Sequence, residues 1–202
     1  MNTKQVAELV LQSLEHELGG VKVYATALSC AQNPDLRKEW QEYLEQTKEH
    51  VSALETVCKA LGLDPKQETP GRQVVRHVGA ALVQAMELAA KAGEPAAAEL
   101  VACECVVLAE TKDHADWQLL GKCAENLEGA QAAAIKQAYD SIEDQEDEHL
   151  YHTKGWCREL WIQSLGLPAI LPPPEEQKDV KTAIGAARAE QAGEKARLES
   201  RS

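Results

Sequence analysis

Five residues of types that bind metal ions fall on the apolar faces of predicted helices. They are Glu17, His50, Glu110, Glu146 and His149, and at about 100° per residue each shares a face with large apolar side chains. A charged carboxylate in an apolar core is unfavourable unless it is paired, neutralised or bound to a cation. Carboxylate oxygens and imidazole nitrogens suit iron, manganese or zinc. The five residues therefore predict a metal site in the core, with a metal-free polar core as the alternative.

The order of these residues along the chain also points to a shared site. Glu146 and His149 are three residues apart, so one helical turn can supply two ligands. A Glu, a His, a second Glu and a Glu-x-x-His motif come from four successive long helices, which is close to the pattern of a dinuclear carboxylate bundle. The halves also form a weak repeat, because Glu17 and Glu110 are each followed seven residues later by an aromatic residue.

The elements that must position these residues are all predicted to be helices. Phenylalanine is absent, β-branched residues are sparse, and the abundant Ala, Leu, Glu, Gln and Lys favour helices over strands. Proline and glycine positions divide residues 1–167 into four long helices and one shorter helix. The predicted helices cover residues 3–30, 34–61, 73–91, 96–125 and 130–165.

This organisation predicts an all-α protein built on a four-helix bundle. The shorter helix, 73–91, is an extra element in the connection between the second and third long helices. We expect one bundle domain over residues 1–167. Residues 168–202 form a Pro-rich linker and a low-complexity C-terminal tail, to which the sequence assigns no function.

Composition excludes several classes of partner. With 33 acidic and 21 basic residues the formal charge is −12, which disfavours nucleic acid and anionic membranes. The chain lacks an apolar run long enough to span a membrane and an export signal at its N-terminus. Six cysteines without a C-x-x-C pair or a zinc spacing are typical of a reducing compartment. We therefore expect a cytoplasmic protein.

The helical pattern and its polar residues resemble those of the ferritin-like superfamily, which includes rubrerythrins, ferritins, bacterioferritins and manganese catalases. The resemblance covers about residues 5–166. Glu17 with Tyr24 is similar to the first-helix metal ligand and its following tyrosine, and Glu146-x-x-His149 is similar to the fourth-helix motif. His50 and Glu110 resemble the second-helix histidine and the third-helix bridging glutamate.

This resemblance implies a buried pair of iron or manganese ions that reacts with dioxygen or peroxide, and hence an oxidoreductase. Tyr24 is then a candidate catalytic residue, as a hydrogen-bond donor or an electron carrier, with a packed core tyrosine as the alternative. The extra helix at 73–91 distinguishes the chain from cage-forming ferritins and disfavours iron storage. We also expect a homodimer, because long Ala-rich helices often need further burial.

Thr47 departs from the family pattern, which places a second-helix glutamate at this position. Five protein ligands could hold two metal ions with additional water, hold one ion, or hold none. Gln46 and His114, which is expected to face inward, are candidate replacements, and each has a hydrogen-bonded core or boundary residue as its alternative. If metal binding is lost, the remaining interpretation is a metal-free helical bundle that serves as an oligomerisation or partner-binding module.

Overall fold

A computed structural model describes residues 1–167, 185, 187 and 190–195 of the chain. These residues form helices and contain no strand, which confirms the all-α class. The five helices of the first 167 residues are α1 (Thr3–Cys30), α2 (Pro34–Leu61), α3 (Pro70–Lys91), α4 (Pro95–Asn126) and α5 (Gly129–Ser164).

Local signals explain where the helices begin and end. Asn33 caps α2 by accepting hydrogen bonds from two backbone amides of its first turn. Gly62 and Gly166 both adopt left-handed backbone, with φ of 70° and 68°, and so end α2 and α5 as glycine favours. The prediction that α3 starts at 73 was late by one turn. Thr69 caps the helix and Pro70 occupies its first position, so the turn-rich stretch ends earlier than its composition suggested.

Four of the helices form a ring around one core. α1 packs against α2 and α4, and α5 packs against α2 and α4. The polypeptide therefore makes two helical hairpins, α1–α2 and α4–α5, that lie side by side. α3 connects the hairpins and packs outside the ring against α1 and α4. Gly19 of α1 and Gly79 of α3 face each other where these two helices approach closely.

Two apolar clusters fill the bundle and leave a polar layer between them. The Trp40 cluster includes Tyr24, Tyr43, Met86 and Val106, and the Leu54 cluster includes Leu11, Leu14, Trp117, Leu120 and Ile135. Along each ring helix, residues of one cluster precede the polar layer and residues of the other follow it. All four helices therefore bring their polar core residues to one level.

The tail is described only in part. Residues 190–195 are helical, and Ala187 is buried against Leu150 and Tyr151 of α5. Within the predicted linker and tail at 168–202, residues 168–184 lie outside the described residues. Within the described part of the chain, no helix combines the length and apolar character needed to cross a bilayer.

A buried ion pair fastens α3 to the ring. Arg72 is 3% exposed and donates to Glu15 of α1 and to the backbone carbonyls of Pro65 and Gln67. Arg76 donates to the same carboxylate. Burial alone would raise the pKa of Glu15, but the two guanidinium groups hold it below its usual value. This arrangement fixes the extra helix beside α1 through one carboxylate.

Substituting Arg72→Met is expected to destabilise the protein by about 2–4 kcal/mol, because it removes one partner of a buried pair and leaves two carbonyls unsatisfied. Lys122→Met is the matched control, since Lys122 forms an exposed pair with Glu125 and should cost less than about 1 kcal/mol. Chemical denaturation of both variants measures the difference. Equal stabilities would contradict the proposed anchoring of α3.

Candidate metal centre

The polar layer of the bundle contains all five residues that the sequence predicts as metal ligands. Glu17 comes from α1, His50 from α2, Glu110 from α4, and Glu146 and His149 from α5. Each side chain is at most 3% exposed. The structure therefore brings the five together in the core, at the level where the two apolar clusters meet.

The five side chains form two groups that share one residue. Glu17, His50 and Glu146 make one group, and Glu110, Glu146 and His149 make the other, with the potential ligand atoms of each group within 4.8 Å of one another. His50 Nδ1 lies 3.0 Å from Glu146 Oε1 and 3.4 Å from Glu17 Oε1. His149 Nδ1 lies 3.5 Å from Glu146 Oε1. Glu146 thus occupies the bridging position between two possible ion sites.

The two histidines are oriented by glutamines from the opposite hairpin. His50 Nε2 donates to Gln145 Oε1 at 2.8 Å, and His149 Nε2 donates to Gln46 Oε1 at 2.6 Å. Because the Nε2 atom carries the proton of this bond, the neutral ring presents the lone pair of Nδ1 towards the carboxylates. Such an outward hydrogen bond is the usual way in which a protein orients a metal-binding histidine.

Glu17 and Glu110 each belong to only one of the two groups and are the outer glutamates of the centre. Aromatic donors orient their carboxylates in the same crossed manner. Trp117 Nε1 of α4 donates to Glu17 Oε1 of α1 at 2.8 Å, and Tyr24 of α1 donates to Glu110 Oε1 of α4 at 2.8 Å. The seven-residue repeat seen in the sequence therefore has a structural basis. Each aromatic residue, however, donates its hydrogen bond to the glutamate of the other helix. Tyr24 contacts the centre through Glu110, as a donor.

When both histidines are neutral, the atoms that face the middle of the centre lack hydrogen-bond partners. Within the described part of the chain, these are one oxygen each of Glu17 and Glu110, both oxygens of Glu146, and Nδ1 of both His50 and His149. Buried polar atoms are nearly always satisfied in folded proteins. Six unsatisfied lone-pair atoms in one buried layer, four of them on side chains held by an outward hydrogen bond, fit a site for divalent cations.

The charges of the centre favour protonation when no cation is bound. Burial opposes a charge on His50, but the carboxylates of Glu146 and Glu17 raise the pKa of its imidazole to about 11. Burial raises the pKa of Glu146, and the nearby charges of Glu110 and Glu17 add to that rise. In the metal-free protein, protons therefore take the place that a cation would have in reducing carboxylate repulsion.

One acidic residue of the polar layer was missed from the sequence. Asp113 of α4 is 4% exposed, and its Oδ1 has no hydrogen-bond partner among the described residues. Burial and the charges of Glu146, Glu17 and Glu110 raise its pKa well above the usual value. The signal was available, because Asp113 follows Glu110 by three residues and so occupies the same helix face. Asp113 lies outside the two groups of closest ligand atoms.

Neither candidate replacement for the absent second-helix glutamate contributes to the two groups. Thr47 is buried, and its hydroxyl donates to the backbone carbonyl of Tyr43. Gln46 holds His149 from outside the centre. His114 is only half-buried, and its Nδ1 pairs with Asp147 at 3.2 Å. The inward orientation expected for His114 belongs to the adjacent Asp113, about 100° away on the helix.

The cysteines and remaining histidines lie outside the centre. All six cysteines are free, and four of them are buried, as expected for small core residues. His16 bonds to the backbone carbonyl of Ala109. His152 bonds to Glu39 and Tyr43 on the far side of the Tyr43 ring, which in turn packs 4.1 Å from the ring of His149 between centroids.

A cleft between α4 and α5 leads from the surface to the centre. It has a volume of about 920 Å³, and the buried Glu146 and Trp117 line it together with the exposed Lys122 and Glu125. Three further acidic residues, Glu143, Asp147 and Glu194, also line it. The cleft therefore extends from the surface to the buried side chain of Glu146.

No family model, curated protein sequence or solved structure shows significant similarity to the chain.

Cation binding is expected to release protons and to strengthen as the pH rises. His50 carries a proton up to a pKa of about 11, and a cation must displace it, so affinity should rise up to about tenfold per pH unit for each displaced proton. Calorimetric titration with Mn(II) at pH 7, in buffers of different ionisation enthalpy, counts these protons. His114→Gln, outside the centre, should leave the count unchanged. Binding without proton release would contradict the assigned ligands.

The stability of the metal-free protein should fall as the pH rises, whereas the affinity for cations should rise. A histidine with a raised pKa stabilises the fold fully below its unfolded pKa of about 6.5. This stabilisation declines as the pH rises towards 11. Thermal melts of metal-free protein should therefore show lower midpoints at pH 9 than at pH 7. His50 is the group responsible for both pH effects.

Proposed function

We propose that the chain is a ferritin-like protein that binds two iron or manganese ions in its core and acts as an oxidoreductase on dioxygen or peroxide. The observation that carries this proposal is the set of six inward atoms without hydrogen-bond partners. Protein interiors rarely leave one such atom unsatisfied, and a pair of cations would satisfy all six.

The donor set supports iron or manganese. Three carboxylates and two imidazoles supply mostly oxygen with some nitrogen, which suits these metals, whereas structural zinc sites usually contain thiolates. The described cysteines lie outside the two groups of ligand atoms. Glu146 belongs to both groups, and a shared carboxylate is what a two-ion centre requires.

When bound, such ions supply electrons and a Lewis acid for the reduction of dioxygen or peroxide. The protein orients the ligands of the ions and protects the centre from water. Gln46, Gln145, Trp117 and Tyr24 hold the four outer ligands through single hydrogen bonds. The Trp40 and Leu54 clusters exclude water above and below the layer. The cleft between α4 and α5 provides access for a small substrate.

Tyr24 is suited to keep its proton during this chemistry. Burial and the adjacent Glu110 raise the pKa of its phenol well above the usual value, so the hydroxyl remains a donor to Glu110 at neutral pH. Its ring lies 6.1 Å from that of Tyr43 and 6.1 Å from that of His149, between centroids. Tyr24 therefore fits the proposed role of a catalytic donor beside the ions.

The alternative is a metal-free bundle that serves as an oligomerisation or partner-binding module. Thr47 favours it, because this residue uses its hydroxyl within its own helix and offers no ligand. In that case protons on His50 and His149 would have to balance the buried carboxylates. A direct test of ion binding distinguishes the two.

Protein purified without chelator and reconstituted with Fe(II) or Mn(II) is expected to hold about two ions per chain. Because the ions bind only the folded state, they should raise the melting midpoint by about 5 °C or more. Glu146→Gln should lose most of this increase. Glu148→Gln, two residues along α5 and half-exposed, should keep it. Elemental analysis and thermal melts measure both.

Redox activity is the second arm of this experiment. Loaded wild-type protein and the Glu148→Gln variant should consume dioxygen or peroxide, and Glu146→Gln should not. Fewer than about 0.2 ions per chain after reconstitution, with unchanged melts, would exclude the proposed centre and leave the metal-free bundle.

A further inference from the structure

The two hairpins differ at two equivalent positions of the polar layer. Three residues before each histidine is Thr47 in α2 and Glu146 in α5. Three residues after each outer glutamate is Gly20 in α1 and Asp113 in α4. The α1–α2 hairpin therefore carries no acid at either position, and the α4–α5 hairpin carries an acid at both.

Packing fills both positions of the first hairpin. Gly20 is buried against Thr47, and a Cβ atom at Gly20 would lie 3.2 Å from Thr47 Cγ2. A glycine and a methyl group thus pack together where the other hairpin carries Asp113 and Glu146, and the first hairpin supplies no second carboxylate to the layer.

Asp113 is the buried carboxylate that α4 supplies at this position of the polar layer. It is 4% exposed, and its Oδ1 has no hydrogen-bond partner among the described residues. Its neighbour Asp116 differs in this respect, because it pairs with Lys112 at 2.5 Å. A buried acid without a partner requires a compensating proton or cation.

The charge of the centre shows what Asp113 would contribute. Two divalent cations carry four positive charges, whereas Glu17, Glu110 and Glu146 supply three negative charges and neutral histidines supply none. An uncompensated charge in a buried layer is strongly unfavourable. With Asp113 the layer contains four carboxylates and two histidines, which neutralises two divalent cations.

We propose that Asp113 is the fourth carboxylate of a two-ion centre and replaces, from the opposite hairpin, the acid that Thr47 lacks. This inference rests on the proposed function. Asp113 acts by balancing the second divalent cation, and its unpartnered Oδ1 is the oxygen available to it. The remaining ligands suffice for the first ion.

The test counts Mn(II) ions bound to the full chain, from the loss of the free-ion signal in electron paramagnetic resonance. Wild type is expected to bind about two ions. Asp113→Asn should keep one ion and bind the second about tenfold more weakly or worse. Asp116→Asn, the same change on the same helix, should bind both ions as wild type does.

Thermal melts separate charge balance from a structural role. Asp113→Asn replaces an unpartnered buried carboxyl group that lies among other carboxylates with a neutral amide of similar size, so its metal-free midpoint should equal or exceed that of wild type. A lower metal-free midpoint with normal uptake of both ions would identify Asp113 as structural and overturn the inference. Asp113→Glu keeps the charge and should bind both ions, which tests the inference even if Asp113→Asn does not fold.

The outcomes for the two proposals are distinct. If wild type binds no Mn(II), the proposed function fails. If wild type and Asp113→Asn both bind two ions with equal affinity, only the role of Asp113 is overturned. If wild type binds a single ion, the two-ion centre and the role of Asp113 fail together, while a one-ion centre remains.

Discussion

Compensation of buried negative charge is the constraint on which the rest of this structure depends. Three glutamates lie in the core with at most 3% exposure, and no lysine or arginine of the described chain is paired with them. Isolated carboxylates in such surroundings are strongly unfavourable. Two histidines reduce the repulsion by binding protons, and divalent cations would reduce it further.

The hydrogen bonds around the polar layer cross between the two hairpins. Each histidine is held by a glutamine of the other hairpin, and each outer glutamate by an aromatic donor of the other hairpin. A relative shift of the hairpins would break all four bonds at once. The same contacts that hold the ligands therefore fix the register of the bundle, so the fold and the centre depend on each other.

Composition was sufficient to predict the all-α class, and proline and glycine positions to predict the helices. Helical periodicity predicted the five inward residues, because each depends on a face of a single helix. The glutamine partners depend on which helices face each other, although a repeated Gln-x-x-x-His at 46–50 and 145–149 was visible. Asp113 was missed for a different reason. It and His114 are adjacent, and a small error in helix phase decides which of the two points inward.

Anomalous diffraction from crystals grown with Mn(II) is the most direct measurement of the central claim. We expect two anomalous peaks in the polar layer, one on each side of Glu146, with Nδ1 of His50 beside one and Nδ1 of His149 beside the other. A layer without anomalous density, with manganese bound only at surface carboxylates, would contradict it.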